Sequence, residues 1–107
     1  MIDWTEELLT QVEGSNHGAL SYPGTNGYPV VLPLPLAFAR DSHTFTFSLP
    51  RGRPAAASRE EVSLTLLYAD PQSKSERYLL LYGQLAEAGD EGTFTPSQVL
   101  VQQWRSR

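Results

Sequence analysis

Few side chains in this 107-residue chain are equipped for chemistry, and the most suggestive gather in one stretch. Arg51 and Arg53 stand in Pro50–Glu61, PRGRPAAASREE, just beyond Ser48. Pro54 suits the first position of a helix and the alanines behind it favour one, so a short helix is predicted here. Its N-terminus would offer unpaired N–H groups and partial positive charge. The two arginines would add charge-assisted donors, and Ser48 a hydroxyl. That set suits a phosphate. The same arginines also read as solvated turn residues, because surface charge usually has no further role.

Other chemistries lack their constellations. The chain has no cysteine, which excludes disulfides, thiolate metal sites and cysteine catalysis. His17 and His43 fall at predicted strand starts with no second histidine or carboxylate at ligand spacing, so no metal site is assigned. Glu60-Glu61 reads as a solvated helix end, and Ser48 has no His–Asp pattern for a hydrolytic triad. Tyr78, Tyr82 and Trp104 read as core or interface aromatics, and a net charge of −4 argues against nucleic-acid or anionic-membrane partners. No apolar run approaches the ~20 residues of a membrane span. The N-terminus MIDWTEELL is too acidic for a signal peptide, and a cytoplasmic protein is expected. No catalytic residue is assigned.

The elements that would carry these residues follow from hydrophobic period. Asp3 and Glu6 form an Asp variant of the capping box, opening a helix to about Glu13. Trp4, Leu8 and Val12 give it one apolar face, Gly14 ends it, and it is expected to cover one barrel mouth. His17–Tyr22 reads as a first strand, followed by a Pro23–Gly27 turn. Gly27–Phe38, GYPVVLPLPLAF, is a long second strand with Val30, Leu32, Leu34, Leu36 and Phe38 on one face. Its prolines, Pro29, Pro33 and Pro35, share one parity and strip one lateral edge of N–H donors. Such a strand belongs at a sheet edge or an opening. Either protection of that edge or shaping of a dimer surface accounts for the prolines without a ligand.

After a turn at Arg40–Ser42, His43–Leu49 alternates as a half-buried antiparallel strand. Val62–Tyr68, a polar loop at Asp70–Glu76, Arg77–Glu87 and a Gly89–Gly92 turn precede a last strand at Phe94–Trp104. Arg77–Glu87 is apolar on both faces up to Gly83, so both faces need cover. The expectation is one domain over residues 1–107: mainly β, a six-stranded antiparallel split barrel with an N-terminal helix and one short helix between strands 3 and 4.

The order of GYPVVLPLPLAF, FTFSLPRGR, EEVSLTLLYADP and RYLLLYGQLAE resembles the pyridoxamine-phosphate-oxidase-like family of FMN-binding split barrels over about residues 5–88. The resemblance implies a homodimer with FMN in clefts between two barrels, and a flavin-dependent oxidoreductase role on an unassigned small-molecule substrate. By position it would set Leu32, Pro33 and Leu34 beside the isoalloxazine ring, Ser48, Arg51 and Arg53 at the phosphate, and Tyr78 near the ring. Leu34 stands where true oxidases carry a basic residue, which separates this chain from a pyridoxamine phosphate oxidase. Pro54, Ala55 and Ala56 replace the basic pair that flavin-binding relatives carry in the short helix. The alternative is a non-catalytic dimeric split-barrel module that has lost flavin binding or takes another small ligand, such as haem or a deazaflavin.

Overall fold

The computed structural model describes residues 2–15, 17–69 and 75–106, and the side chains of all of these except 67–69, 75–78 and 100–106. Helix α1 (Glu6–Glu13) is followed by seven strands: β1 (His17–Pro23), β2 (Pro29–Pro35), β3 (Ala37–Ala39), β4 (Thr44–Ser48), β5 (Val62–Ala69), β6 (Ser75–Ala88) and β7 (Glu91–Ser106). They form one antiparallel sheet in the order β2-β1-β5-β6-β7-β4-β3. The two edge strands, β2 and β3, are consecutive in the chain, separated by Leu36 alone. The sheet is therefore curled into a half-barrel whose two edges belong to one continuous stretch.

The prolines decide where the barrel closes. Gly24 N–H donates to Tyr28 O at 2.9 Å, and the β1–β2 register pairs Tyr22 with Val30, Leu20 with Leu32 and Gly18 with Leu34. Antiparallel bonds alternate, so even-numbered residues of this stretch face β1 and odd-numbered ones face away. Pro29, Val31, Pro33 and Pro35 point their backbone away from β1, along the edge that β3 offers to β4, and only Val31 brings an N–H. Beyond the prolines the same edge pairs at once: Ala37 with Thr46, Phe38 with Phe45, and His43 N–H donates to Ala39 O at 2.8 Å. Continued backward, that register would set Pro33 opposite Pro50, two residues without an N–H between them. The stretch expected as one strand is thus two, which raises the strand count from six to seven.

The core lies inside the curl. Phe45 and Phe94 meet at 6.2 Å between ring centres, surrounded by Leu20, Leu64, Leu66, Leu79 and Leu81. Each fully buried leucine or phenylalanine contributes roughly 1.5–3 kcal/mol relative to exposure. Leu8 and Val12 of α1 belong to the same cluster, so the helix docks by the face its spacing predicts. Its cap is Thr5, whose Oγ1 accepts from Leu8 N–H at 3.2 Å, in place of the expected Asp3. Trp4 stacks on His43 at 4.5 Å, and Arg40 bonds Glu6 at 2.8 Å and Glu13, which fastens the helix to the β3–β4 turn.

The short helix expected between strands 3 and 4 does not form. Residues 49–61 hold turns, bends and one isolated bridge, Ala56 to Gly24. Their backbone groups are claimed by other strands: Ala57 N–H donates to Pro23 O at 2.7 Å, and Arg59 O accepts from Leu85 N–H at 2.9 Å. The Tyr22 hydroxyl donates to Pro54 O at 2.6 Å. Alanine helix propensity, worth a few tenths of a kcal/mol per residue, loses to this set of tertiary bonds. Residues 70–74 of the polar loop expected at Asp70–Glu76 lie outside the described residues, and β6 begins at Ser75 within it.

The β6–β7 ribbon changes register between Tyr82 and Gly83. A Cβ on Gly83 would run into the carbonyl oxygen of Thr95 and come within 2.8 Å of Pro96 Cα. Neither obstacle is a flexible side chain. Gly83→Ala should destabilise the protein by about 1–3 kcal/mol, in the range of overpacking changes, with a fall in Tm that thermal denaturation would show. An unchanged Tm would mean that the two strands can part at this bulge without loss.

Candidate functional site

The arginine-bearing segment leaves β4 at Ser48, which is exposed and paired in register with Glu91 of β7. Leu49 N–H donates to Asp90 O at 2.7 Å, so the segment starts against the β6–β7 turn. That turn is Gly89-Asp90, with Gly89 at φ 62, the left-handed value a tight hairpin demands of its first central residue. Arg51 and Arg53 both reach back to it. Arg51 Nε meets Asp90 Oδ2 at 3.1 Å with its side chain 92% exposed, a tether of little energetic weight.

Arg53 is held differently. Its Nε donates to Glu87 Oε1 at 3.2 Å, Nη1 to Pro50 O and Asp90 Oδ1, and Nη2 to Gly89 O at 2.9 Å. Four acceptors on two chain segments thus converge on one guanidinium that is 17% exposed. The other oxygen of Glu87 accepts from Arg59 Nε at 2.7 Å, so this carboxylate sits between two arginines. The Arg59 guanidinium, with Arg53 behind it, holds the Glu87 carboxyl below its ordinary range against the opposing pull of partial burial. Burial pushes the Tyr22 phenol up, with the Glu87 charge adding to the shift and Arg53 opposing it.

The structure therefore brings Ser48, Arg51 and Arg53 together around one turn, but with their charge answered by Glu87 and Asp90. Arg59 and the two acids were not singled out in the sequence. Their partnership joins residues 28 to 39 positions apart, which no local pattern reveals. Of the residues expected beside a ring, Leu34 is buried in the core and Leu32 packs half-buried against it. Pro33 alone of the three presents its side chain outward. Tyr78 lies on β6, and its side chain falls outside the described residues.

Among the described residues, two hollows are large enough to weigh as ligand sites. One of about 740 Å³ lies between the N-terminal segment and Ser97–Val99 of β7. Its described lining carries Asp3 and Glu7 with no cation and no aromatic ring, a poor match to an anionic cofactor. The other, about 530 Å³, lies on the outer face where β1, β2, β5 and β6 meet. Ser21, Ser63, Pro29, Glu61, Tyr28 and Tyr82 line it, and its volume lies within the range of small-molecule sites. Among the described residues no group of three His, Asp or Glu side chains is placed to hold a metal ion. No helix among them is long and apolar enough to cross a membrane.

No protein-family profile matches the chain. No curated protein matches it in sequence either. Among solved structures, the FAD-binding protein from Mycobacterium smegmatis superposes with a TM-score of 0.67 at 16% identity, covering 100% of this chain and 98% of that one. The two share a mainly β half-barrel fold along their whole length.

The Arg59–Glu87–Arg53 cluster predicts the acid limb of stability. The Glu87 carboxyl is depressed in the folded state, so the unfolded chain binds more protons at acid pH and stability rises with pH across that window. The contribution is complete above the unfolded value, near 4.3, and is lost as pH falls through the folded one. Glu87→Gln should lower stability near neutral pH by about 1 kcal/mol and flatten the loss below pH ~4.5, measured by urea denaturation at several pH values. Equal acid slopes in the two proteins would show that the cluster is not coupled to folding.

Proposed function

We propose that this protein is a flavin-binding, pyridoxamine-phosphate-oxidase-like split barrel, acting as a homodimer in the cytoplasm with FMN as its cofactor. The observation that carries this reading is the likeness in fold, over its whole length, to a protein that binds FAD. The fit of the chain's own residues supports it. An outer groove of cofactor size adjoins β2, and a turn bearing Ser48, Arg51 and Arg53 leads into the segment bridged to its Pro23–Gly24 rim. The ring would lie along the outer face of β2, where Pro33 is exposed and Leu32 and Leu34 contribute backbone, with Tyr78 near it on β6. The phosphate would meet Ser48, Arg51 and Arg53. A bound flavin supplies electron transfer, and the protein's part is to orient and shield the ring. The exposed Val31 and the half-buried Leu80 supply apolar surface for a two-fold contact.

One observation favours a second reading, a dimeric module without flavin. Arg53 already has four acceptors within the chain, and a structural staple needs nothing more.

The two readings separate in one titration. With FMN or FAD at sub-millimolar concentration, flavin binding predicts quenched flavin fluorescence and a raised Tm, about 2.7 kcal/mol of added stability at a hundredfold excess over Kd. Arg53→Ala should weaken FMN more than it weakens riboflavin, which lacks the phosphate. No quenching and no Tm shift with any flavin, from a protein that sediments as a dimer, would establish the second reading.

A further inference from the structure

We infer that the ring of the ligand is held in the groove between Tyr28 and Tyr82, and that the site selects a planar heteroaromatic ring with hydrogen-bonding edge atoms. This rests on the flavin reading but moves the point of attachment along β2, from Leu32–Leu34 toward Pro29. The side chains of Leu32 and Leu34 belong to the barrel interior, so a ring placed outside them meets only backbone and Pro33. The groove offers far more.

Tyr28 and Tyr82 are 72% and 43% exposed, and with Val31 at 59% they are the large apolar side chains the described surface leaves uncovered. The register places four residues in one row across four strands, Val31 beside Ser21, Ser21 beside Ser63 and Ser63 beside Tyr82, and the last three of them line the groove. Within the groove the row thus runs over two adjacent hydroxyls to an aromatic ring, with exposed Val31 beyond its edge. Serines there can donate to or accept from ring nitrogens and carbonyls, and tyrosine faces stack on an electron-poor ring.

The backbone under Tyr28 is fixed in advance. Gly24 N–H donates to Tyr28 O at 2.9 Å, Tyr28 N–H donates to Asn26 Oδ1 at 3.1 Å, and Gly27 takes φ 88. A Cβ on Gly24 would stand 2.7 Å from Tyr28 O, so the close approach of the two strands depends on that glycine. The ring of Tyr28 is thereby presented from a locked turn, which lowers the ordering cost of stacking. Glu61 at the rim favours N–H-bearing edges and repels a phosphate. The phosphate end is accordingly directed away from Glu61.

The test titrates wild type, Tyr28→Ser, Tyr82→Ser and Tyr82→Phe with FMN and with riboflavin, following flavin fluorescence, with circular dichroism and Tm as controls on folding. Both serine variants should fold, since both side chains are exposed, and should lose tenfold or more in affinity for both ligands. Tyr82→Phe keeps the ring face and should stay within about threefold of wild type. If wild type binds flavin and the serine variants bind it equally well, the groove is not the ring site, while the flavin reading stands. If the serine variants leave flavin affinity unchanged and convert a dimer to a monomer in sedimentation, a second copy of the chain covers the groove and the inference falls. If wild type binds neither ligand, the flavin reading fails and takes this inference with it.

Discussion

Three missing hydrogens shape this barrel. Pro29, Pro33 and Pro35 have no N–H, and all three face the same lateral edge of the stretch that joins β2 to β3. On its other edge that stretch is paired along β1 from Pro23↔Pro29 to His17↔Pro35. Ladder bonds to β4 begin only where alanines replace prolines, at Ala37 and Ala39. One stretch of chain therefore serves as both edges of a single sheet, closed at one end and open at the other. The opening needs no loop insertion or cavity. It follows from residue type and parity.

What the opening displaces must be held by other means, and side chains replace the missing ladder. Past Ser48 the chain would face proline with proline, so it leaves the sheet and crosses toward β1. Arg53 pins its start to the β6–β7 turn, the Tyr22 hydroxyl holds Pro54, and Ala57 bonds to Pro23. Arg59 and Leu85 secure the far end before β5 begins. The ion pairs here are largely shielded only at Arg53 and Glu87, and Arg53 makes the most bonds in the cluster. Exposed Arg51 adds little by comparison.

Most of the fold is legible in residue order because its determinants are local. Alternation marks β1, β4 and β5, apolar spacing of four marks α1, and proline parity locates the split. The misreadings have a common cause. Ala55–Ala57 prefer helix locally, yet Pro23 and Gly24, more than thirty positions earlier, claim their backbone groups. Leu36 looks like one more step of a strand, and only the change of partner from β1 to β4 divides it. Arg51 and Arg53 are visible as cations, but Glu87 and Asp90 answer them from across the fold. Of the two places expected for Tyr82, core or interface, the curl of the sheet excludes the core and leaves it facing outward beside Ser63.

The answered charge of the arginine turn bears on how any phosphate-bearing ligand could gain affinity here. A phosphate approaching Arg53 meets a guanidinium already bonded to two carboxylates and two carbonyls, and must take bonds from them. Exchanging one anionic partner for another returns little net free energy, and releasing Glu87 also disturbs Arg59. Arg51 is the readier donor, but its charge is screened by solvent. An arginine turn so compensated would orient a phosphate better than it would retain one. Retention has to come from apolar and stacking contact, and the described surface concentrates that at Tyr28, Val31 and Tyr82. A flavin placed here, as proposed, would gain more from its ring than from its phosphate.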